Sequence, residues 1–213
     1  LKCRLCGSEK IKKLKLKDYY FCRNCEYIML DEACLPELSE EAARYREHEN
    51  TRENQGYVEM FEDFISWGLE ELFSEVETVL DFGCGPGPVL AELLQEKGLK
   101  VDIYDPIFFP DNNYRGNKYD LITSTEVFEH LHRPCQEIAE LLHAIKPGGY
   151  LAVMTYFHPG PGSFPGWWYH RDFTHVGFFN EKTLAWITAE FSLKLLKTGE
   201  QKYVLWQKLT ENS

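Results

Sequence analysis

Four of the seven cysteines fall into two pairs with metal-ligand spacing, Cys3-x2-Cys6 and Cys22-x2-Cys25, separated by fifteen residues. Each C-x-x-C presents two thiolates on one tight turn, and two such turns complete a tetrahedral shell around Zn2+. A closed shell of four sulfurs leaves no open position for chemistry, so the expected metal is structural. Disulfides are the competing use. They would strand Cys34, Cys84 and Cys135 as an odd set, whereas thiols kept reduced suit a cytoplasmic protein. A second signature is Asp81-Phe-Gly83-Cys84-Gly85-Pro-Gly87. Glycines between a strand and a helix let a ligand approach bare backbone at the carboxyl end of a parallel sheet. The phosphate loop of nucleotide triphosphatases needs Gly-Lys-Ser/Thr, which is absent, and dinucleotide binding wants a glycine where Pro88 stands. What remains is a cofactor without phosphates. Asp81, just before the turn, suits one that carries an amino group. Asp105, twenty residues after Gly85, is placed to accept hydrogen bonds from both hydroxyls of a ribose.

These groups need elements to position them. Lys13-Leu-Lys-Leu-Lys17 alternates at the strand period, Tyr19–Phe21 leads into the second cysteine pair, and 27–30 supplies a third strand. Together with the cysteines this is a zinc-ribbon pattern over 1–30. An acidic connector, 31–53, follows, with an N-capped helix starting at Ser39. Apolar residues from Tyr57 to Leu72 recur every three or four positions, giving an amphipathic helix over roughly 54–73 that packs on a sheet. Thr78–Phe82, Lys100–Tyr104, Lys118–Ser124 and Tyr150–Tyr156 read as apolar strands. Helices at Val89–Lys97 and Arg133–Lys146, and a third capped at Asn180, alternate with or follow them. That alternation predicts an α/β fold with a doubly wound, mostly parallel sheet.

In this order, Asp81-Phe-Gly-Cys-Gly-Pro-Gly, Asp105, Tyr119-Asp-Leu-Ile, Glu126-Val-Phe-Glu-His and Lys146-Pro-Gly-Gly resemble the class I S-adenosylmethionine-dependent methyltransferases. The resemblance covers roughly 55–210, within a catalytic domain read as 54–213. It implies a seven-stranded Rossmann-like sheet and S-adenosyl-L-methionine on Asp81, Gly83, Cys84, Gly85 and Gly87. It further implies Asp105 on the ribose and Ser124, Thr125 and Glu126 beside the cofactor. Only fourteen residues, Pro106–Tyr119, separate Asp105 from Asp120, so the third-strand region is shortened, and Asp111, Asn112 and Asn113 are the candidates for the adenine. Glu126-x-x-Glu129-His130 is similar to the pattern by which ubiquinone-pathway O-methyltransferases hold a divalent ion, and these residue types suit an oxygen-preferring metal.

Methyl transfer is an in-line displacement, so the acceptor must be aligned and, for a hydroxyl or acidic carbon, deprotonated. Residues 150–180 hold ten aromatics interleaved with His158, His170 and His175, the composition of a substrate pocket. The candidate bases are His175 and His170, then His130. Trp167, Trp168 and Tyr169 supply a wall, a lid or simple packing. No base-amino methylation signature follows the fourth strand, where Thr123-Ser-Thr-Glu stands. The expected acceptor is therefore an oxygen, or a carbon, of a small molecule.

Charge decides among partners. The chain carries a net −11, divided into +5 over 1–30 and −16 over the rest. An acidic body repels phosphate backbones, which argues against general nucleic-acid affinity. The basic ribbon is the place an RNA would be gripped if the chain were an RNA methyltransferase. A non-catalytic cofactor-binding scaffold is the alternative of another class, and the intact Asp81, Gly83, Gly85 and Asp105 set argues against it. No stretch is long and apolar enough for a membrane span. Composition does not set an oligomeric state.

Overall fold

A computed structural model describes residues 1–47 and 50–210; the side chain of Asn112 also lies outside the described set. The chain runs β1 (Ile11–Lys13), β2 (Tyr19–Cys22), β3 (Ile28–Leu30), α1 (Leu38–Tyr45), α2 (Gln55–Gly68), β4 (Thr78–Phe82), α3 (Val89–Glu96), β5 (Lys100–Tyr104), β6 (Tyr119–Thr125), α4 (Pro134–Ala144), β7 (Ile145–Met154), β8 (Gly177–Phe178), α5 (Glu181–Glu190), β9 (Leu193–Gly199) and β10 (Tyr203–Lys208).

The main sheet has the order β5-β4-β6-β7-β10-β9. Its first four strands are parallel, and β10 lies antiparallel to both β7 and β9. Burial alternates with the pleat, as period-two side chains require. Leu80, Ile122, Leu151, Val153 and Trp206 face α4 and α5. Val79, Leu121, Ala152, Met154 and Leu205 face α2 and α3. Helices on both faces make the sheet doubly wound. It has six strands where the resemblance implies seven. Residues 106–118 contain a 3-10 turn, Asn112–Gly116, and no strand beyond an isolated bridge between Asp105 and Phe109. The parallel edge therefore ends at β5.

The ribbon departs from expectation in two ways. Its first strand ends at Lys13, because Asp18 takes a left-handed backbone (φ 66°) and the Leu14 amide bonds the Tyr19 carbonyl. Lys15 and Lys17 thus belong to a turn. The second difference is larger. The ribbon sheet has the order β1-β2-β3-β8, so its fourth strand comes from residues 177–178, far outside 1–30. Ile28 pairs Phe178 and Met29 pairs Gly177.

One helix start shifts and another holds. The helix in the acidic connector begins at Leu38, with the Glu37 amide donating to the Glu40 carboxylate (2.9 Å), rather than being capped by Ser39. α2 is capped by Asn54, whose side chain accepts from the Tyr57 amide at 3.2 Å. Among the described residues, no helix is long and apolar enough to cross a membrane.

Candidate active site

At the carboxyl ends of β4, β5 and β6 lies a cavity of about 780 Å³. Its first half is the glycine turn. Gly83 and Gly85 have φ of +80° and +66°, which L side chains rarely adopt. Part of the space beside the turn is filled by the protein itself. A Cβ on Gly83 would stand 2.2 Å from Val127 Cγ2, and one on Gly87 would stand 1.7 Å from the Asn50 carbonyl oxygen. Those two positions let a valine and the connector pack on the turn, while the backbone of Gly83 and Gly85 still lines the cavity. The Asp105 carboxylate sits across from the turn, accepting from the Gly85 amide (3.1 Å) and from the Ile107 and Phe108 amides (2.8 and 3.0 Å). It lines the cavity with Pro106, Ile107 and Phe108.

The second half is a set of acids and imidazoles. Glu126, with φ 55°, and Glu129 flank Tyr169, whose hydroxyl lies 2.9 Å from Glu126 Oε2 and also bonds Glu129. Glu129 is fully buried and accepts from the Thr155 hydroxyl at 2.7 Å. Burial, reinforced by the charge of Glu129, pushes the Glu126 carboxyl well above the usual carboxylate range. Its Oε1 is buried without a hydrogen-bond partner among the described residues, and Glu126 lines the cavity. His130 Nδ1 donates to the Thr174 carbonyl (2.9 Å), and His175 Nδ1 donates to the Tyr169 carbonyl (2.7 Å). A carbonyl can only accept, so each backbone contact fixes its ring's tautomer and puts the lone pair on Nε2. The rings pack 4.7 Å apart, edge to face. Burial lowers the His175 pKa, keeping the ring neutral and able to take a proton. Glu129, His130 and His175 offer ligand atoms within 4.8 Å of one another.

A roof covers this half. Helix α1 supplies Leu38, Glu41 and Tyr45 to the cavity lining. It is tied down by Arg44, which donates to Asp172 at 2.9 and 3.1 Å, and by Glu41, which lies 3.2 Å from His132. Burial pushes the Asp172 carboxyl up, but hydrogen bonds from Thr174 and Arg44 hold it down at about 2.

Of the sequence candidates, Gly83, Gly85, Asp105, Thr125, Glu126, His130 and His175 all line this one cavity. Asp81, Cys84 and Ser124 are buried next to it rather than lining it. Gly87 lies under Asn50. His170 does not line the cavity and is corrected. Its ring packs on Phe164 and on Tyr19 of the ribbon, at centroid distances of 5.1 and 5.9 Å. His158 is likewise structural: its Nε2 donates to the Glu26 carbonyl (2.9 Å), and burial lowers its pKa to about 4. Asp111 and Asn113 are exposed and bonded to each other, so the adenine expectation moves to Ile107 and Phe108, two residues hidden in the shortened region. Glu41 and Tyr45 were missed, and Tyr169, expected in a pocket wall with Trp167 and Trp168, instead lies behind the lining and bonds the two acids. Their signal, an amphipathic helix and a tyrosine among aromatics, is shared with ordinary packing.

The four ribbon cysteines converge, with sulfurs 3.7 Å (Cys3–Cys25) and 3.5 Å (Cys6–Cys22) apart. Tetrahedral Zn–S bonds of about 2.3 Å put sulfurs roughly 3.8 Å apart. Amide N–H groups already point at them, from Cys6 to Cys3 Sγ and from Asn24 to Cys22 Sγ.

A parallel sheet ending in a glycine turn and a ribose-type carboxylate, with acids and imidazoles in the same cavity, defines a nucleoside-cofactor-binding domain of the Rossmann-like class. Residues 37–198 match the family described as "Methyltransferase domain", and the chain belongs to it. It is 25% identical over 151 residues to a ubiquinone biosynthesis O-methyltransferase from Serratia proteamaculans (strain 568), covering 58% of this chain and 53% of that protein. The chain thus spans about half the length of this curated relative. Two solved structures share the fold. A SAM-dependent methyltransferase from Archaeoglobus fulgidus has a TM-score of 0.53 at 14% identity, over 71% of this chain and 94% of that one. An O-methyltransferase family protein from Burkholderia thailandensis has a TM-score of 0.50 at 16% identity, over 71% of this chain and 56% of that one.

Proposed function

We propose that this protein moves the methyl group of S-adenosylmethionine to an oxygen or carbon of a small-molecule acceptor. The observation that carries the reading is continuity: one cavity runs from Gly83, Gly85 and Asp105 to Glu126, His130 and His175. The residues fit the cofactor. Beyond its three backbone bonds Asp105 keeps one lone-pair site, on Oδ2, for a ribose hydroxyl. Ile107 and Phe108 offer apolar surface, and the unpartnered Glu126 oxygen calls for a donor. When bound, S-adenosylmethionine supplies an electrophilic methyl group. The chain's own residues do the rest. Helix α1 and its Arg44–Asp172 tie exclude water from the acid–imidazole half. His175, neutral and held in one tautomer, accepts the acceptor's proton at Nε2, and Glu129 lies close enough to stabilise the imidazolium. In a second form of the same reading, a divalent cation on Glu129, His130 and His175 would acidify the acceptor hydroxyl instead. We further propose Zn2+ on Cys3, Cys6, Cys22 and Cys25 as the ribbon's structural ion, its sulfur spacing supporting a four-thiolate shell.

Isothermal titration with S-adenosylhomocysteine tests the cofactor, and no binding would sink the assignment. Incubation with methyl-labelled S-adenosylmethionine and a cell extract tests the acceptor. Label is expected in the small-molecule fraction. Label in RNA would replace the acceptor class, and binding without any transfer would favour a scaffold.

A further inference from the structure

We infer that Arg4, in the first cysteine knuckle, is a positioning residue for the acceptor half of the cavity, through which the ribbon sets the imidazoles of His130 and His175. The inference rests on the proposed function only in naming that half the acceptor side. Arg4 stands between Cys3 and Cys6, so the knuckle dictates where its side chain points. Its guanidinium donates to three backbone carbonyls: Val176 at 2.6 Å, His132 at 3.1 Å and Leu30 at 3.4 Å. Val176 follows His175 directly, and His132 is two residues beyond His130. One planar fork thus holds both histidine-bearing segments against the ribbon strand β3. The geometry is specific to arginine, because a lysine ammonium is a single point that cannot span carbonyls from three segments.

The surrounding contacts run through the same residues. The Leu30 amide donates to the Val176 carbonyl and the Val176 amide donates to the Glu129 carbonyl, at 2.9 and 2.8 Å. The segment that carries His175 into β8 is therefore sandwiched between the ribbon and the Glu129 turn. The ring tautomers are set by the carbonyls of Thr174, on this sandwiched stretch, and of Tyr169, in the turn that leads into it. Loosening Arg4 should let 174–176 move against 129–132 and change the two imidazole environments together. The glycine turn and Asp105 share no bond with Arg4, so cofactor binding should survive.

The test reads the rings directly. In 15N-histidine-labelled protein, Arg4→Gln should shift the ring-nitrogen signals of His130 and His175 and leave His143, on the outer end of α4, in place. S-adenosylhomocysteine affinity should stay within twofold of wild type. Arg4→Lys should give an intermediate displacement of the same two rings. If Arg4→Gln fails to fold, Arg4→Lys is read by the same criterion. Unmoved His130 and His175 signals in the folded variant would overturn the inference. So would shifts spread evenly over all the histidines with lost cofactor binding, since that marks general loosening. Absence of S-adenosylhomocysteine binding by wild-type protein would sink the methyltransferase reading alone, because the ring signals report positioning without any ligand.

Discussion

The Tyr27 hydroxyl occupies the position where a side chain on Gly177 would begin: a Cβ there would stand 1.7 Å from Tyr27 Oη and 2.7 Å from Cζ. Tyr27 is fully buried in the ribbon, and Gly177 pairs with Met29 where β8 joins the ribbon sheet. The absence of one methyl group is what lets the two parts share a sheet.

Gly177→Ala should therefore separate them. Overpacking of a tight core costs typically about 1–3 kcal/mol, which for a chain of this size lowers Tm by roughly 5 °C. The ribbon amides should also exchange faster than in wild type. Adding Tyr27→Phe removes the hydroxyl but leaves Cζ in the way, so the double variant should recover part of the loss, not all of it. Wild-type Tm in Gly177→Ala would show that the ring moves aside without penalty.

His175 and His170 are separated by only four residues, yet the structure gives them different work. His175 lines the cavity with its Nε2 carrying the lone pair, while His170 packs on Tyr19 and Phe164 at the ribbon. A positioned general base contributes roughly 10²–10⁴ in rate. His175→Ala should lower single-turnover methyl transfer to the small-molecule fraction by at least the lower figure. His170→Ala should stay within a few-fold and lose stability instead. Equal losses of transfer in both variants would return His170 to the site.

The contrast shows where sequence reasoning stops. The four parallel strands, the glycine turn, Asp105 and the two cysteine pairs were legible because each rests on local rules: period-two alternation, turn chemistry and ligand spacing. His170 and His175 share one composition-rich loop, and only the path of that loop around Tyr169 decides which one enters the cavity. The split at residue 30 was read from charge, and charge does not report that β3 borrows its neighbour from 177–178. The acidic helix around Glu41 and Tyr45 was read only as a connector because its apolar face is short. Burial of Glu41 and the Arg44–Asp172 tie show it to be a wall. Asp111 and Asn113 were chosen for their polarity, where the turn geometry instead brings Ile107 and Phe108 to the cavity.

Asp105 should be intolerant even of asparagine. Its two oxygens accept from three backbone amides on opposite sides, Gly85 on one and Ile107 and Phe108 on the other. In either orientation, an amide side chain turns an N–H toward a backbone N–H and offers a weaker acceptor to a diol. Losing a charge-assisted bond costs about 1.5–3 kcal/mol, so Asp105→Asn should weaken S-adenosylhomocysteine binding roughly 10- to 100-fold by titration calorimetry. Unchanged affinity would mean that the ribose lies elsewhere.

Asp81 makes stability depend on pH in a predictable direction. It is fully buried, and burial raises its pKa from 3.8 to about 7, against a hydrogen bond from the Thr123 hydroxyl (3.0 Å) that favours the ionised form. A folded value above the unfolded one means the folded state holds the proton more tightly. The stabilisation is complete below about pH 4 and is lost progressively as pH rises to about 7, amounting to at most about 4 kcal/mol. Asp81→Asn accepts the same Thr123 bond without titrating. Between pH 5 and pH 7.5 wild type should lose stability relative to the variant, by urea unfolding; parallel curves would refute the burial argument. A cofactor bearing an ammonium near this carboxyl favours its ionised form. Binding at pH 6.5 should then release a proton in wild type and not in Asp81→Asn, read as a buffer-dependent binding enthalpy for the wild type alone.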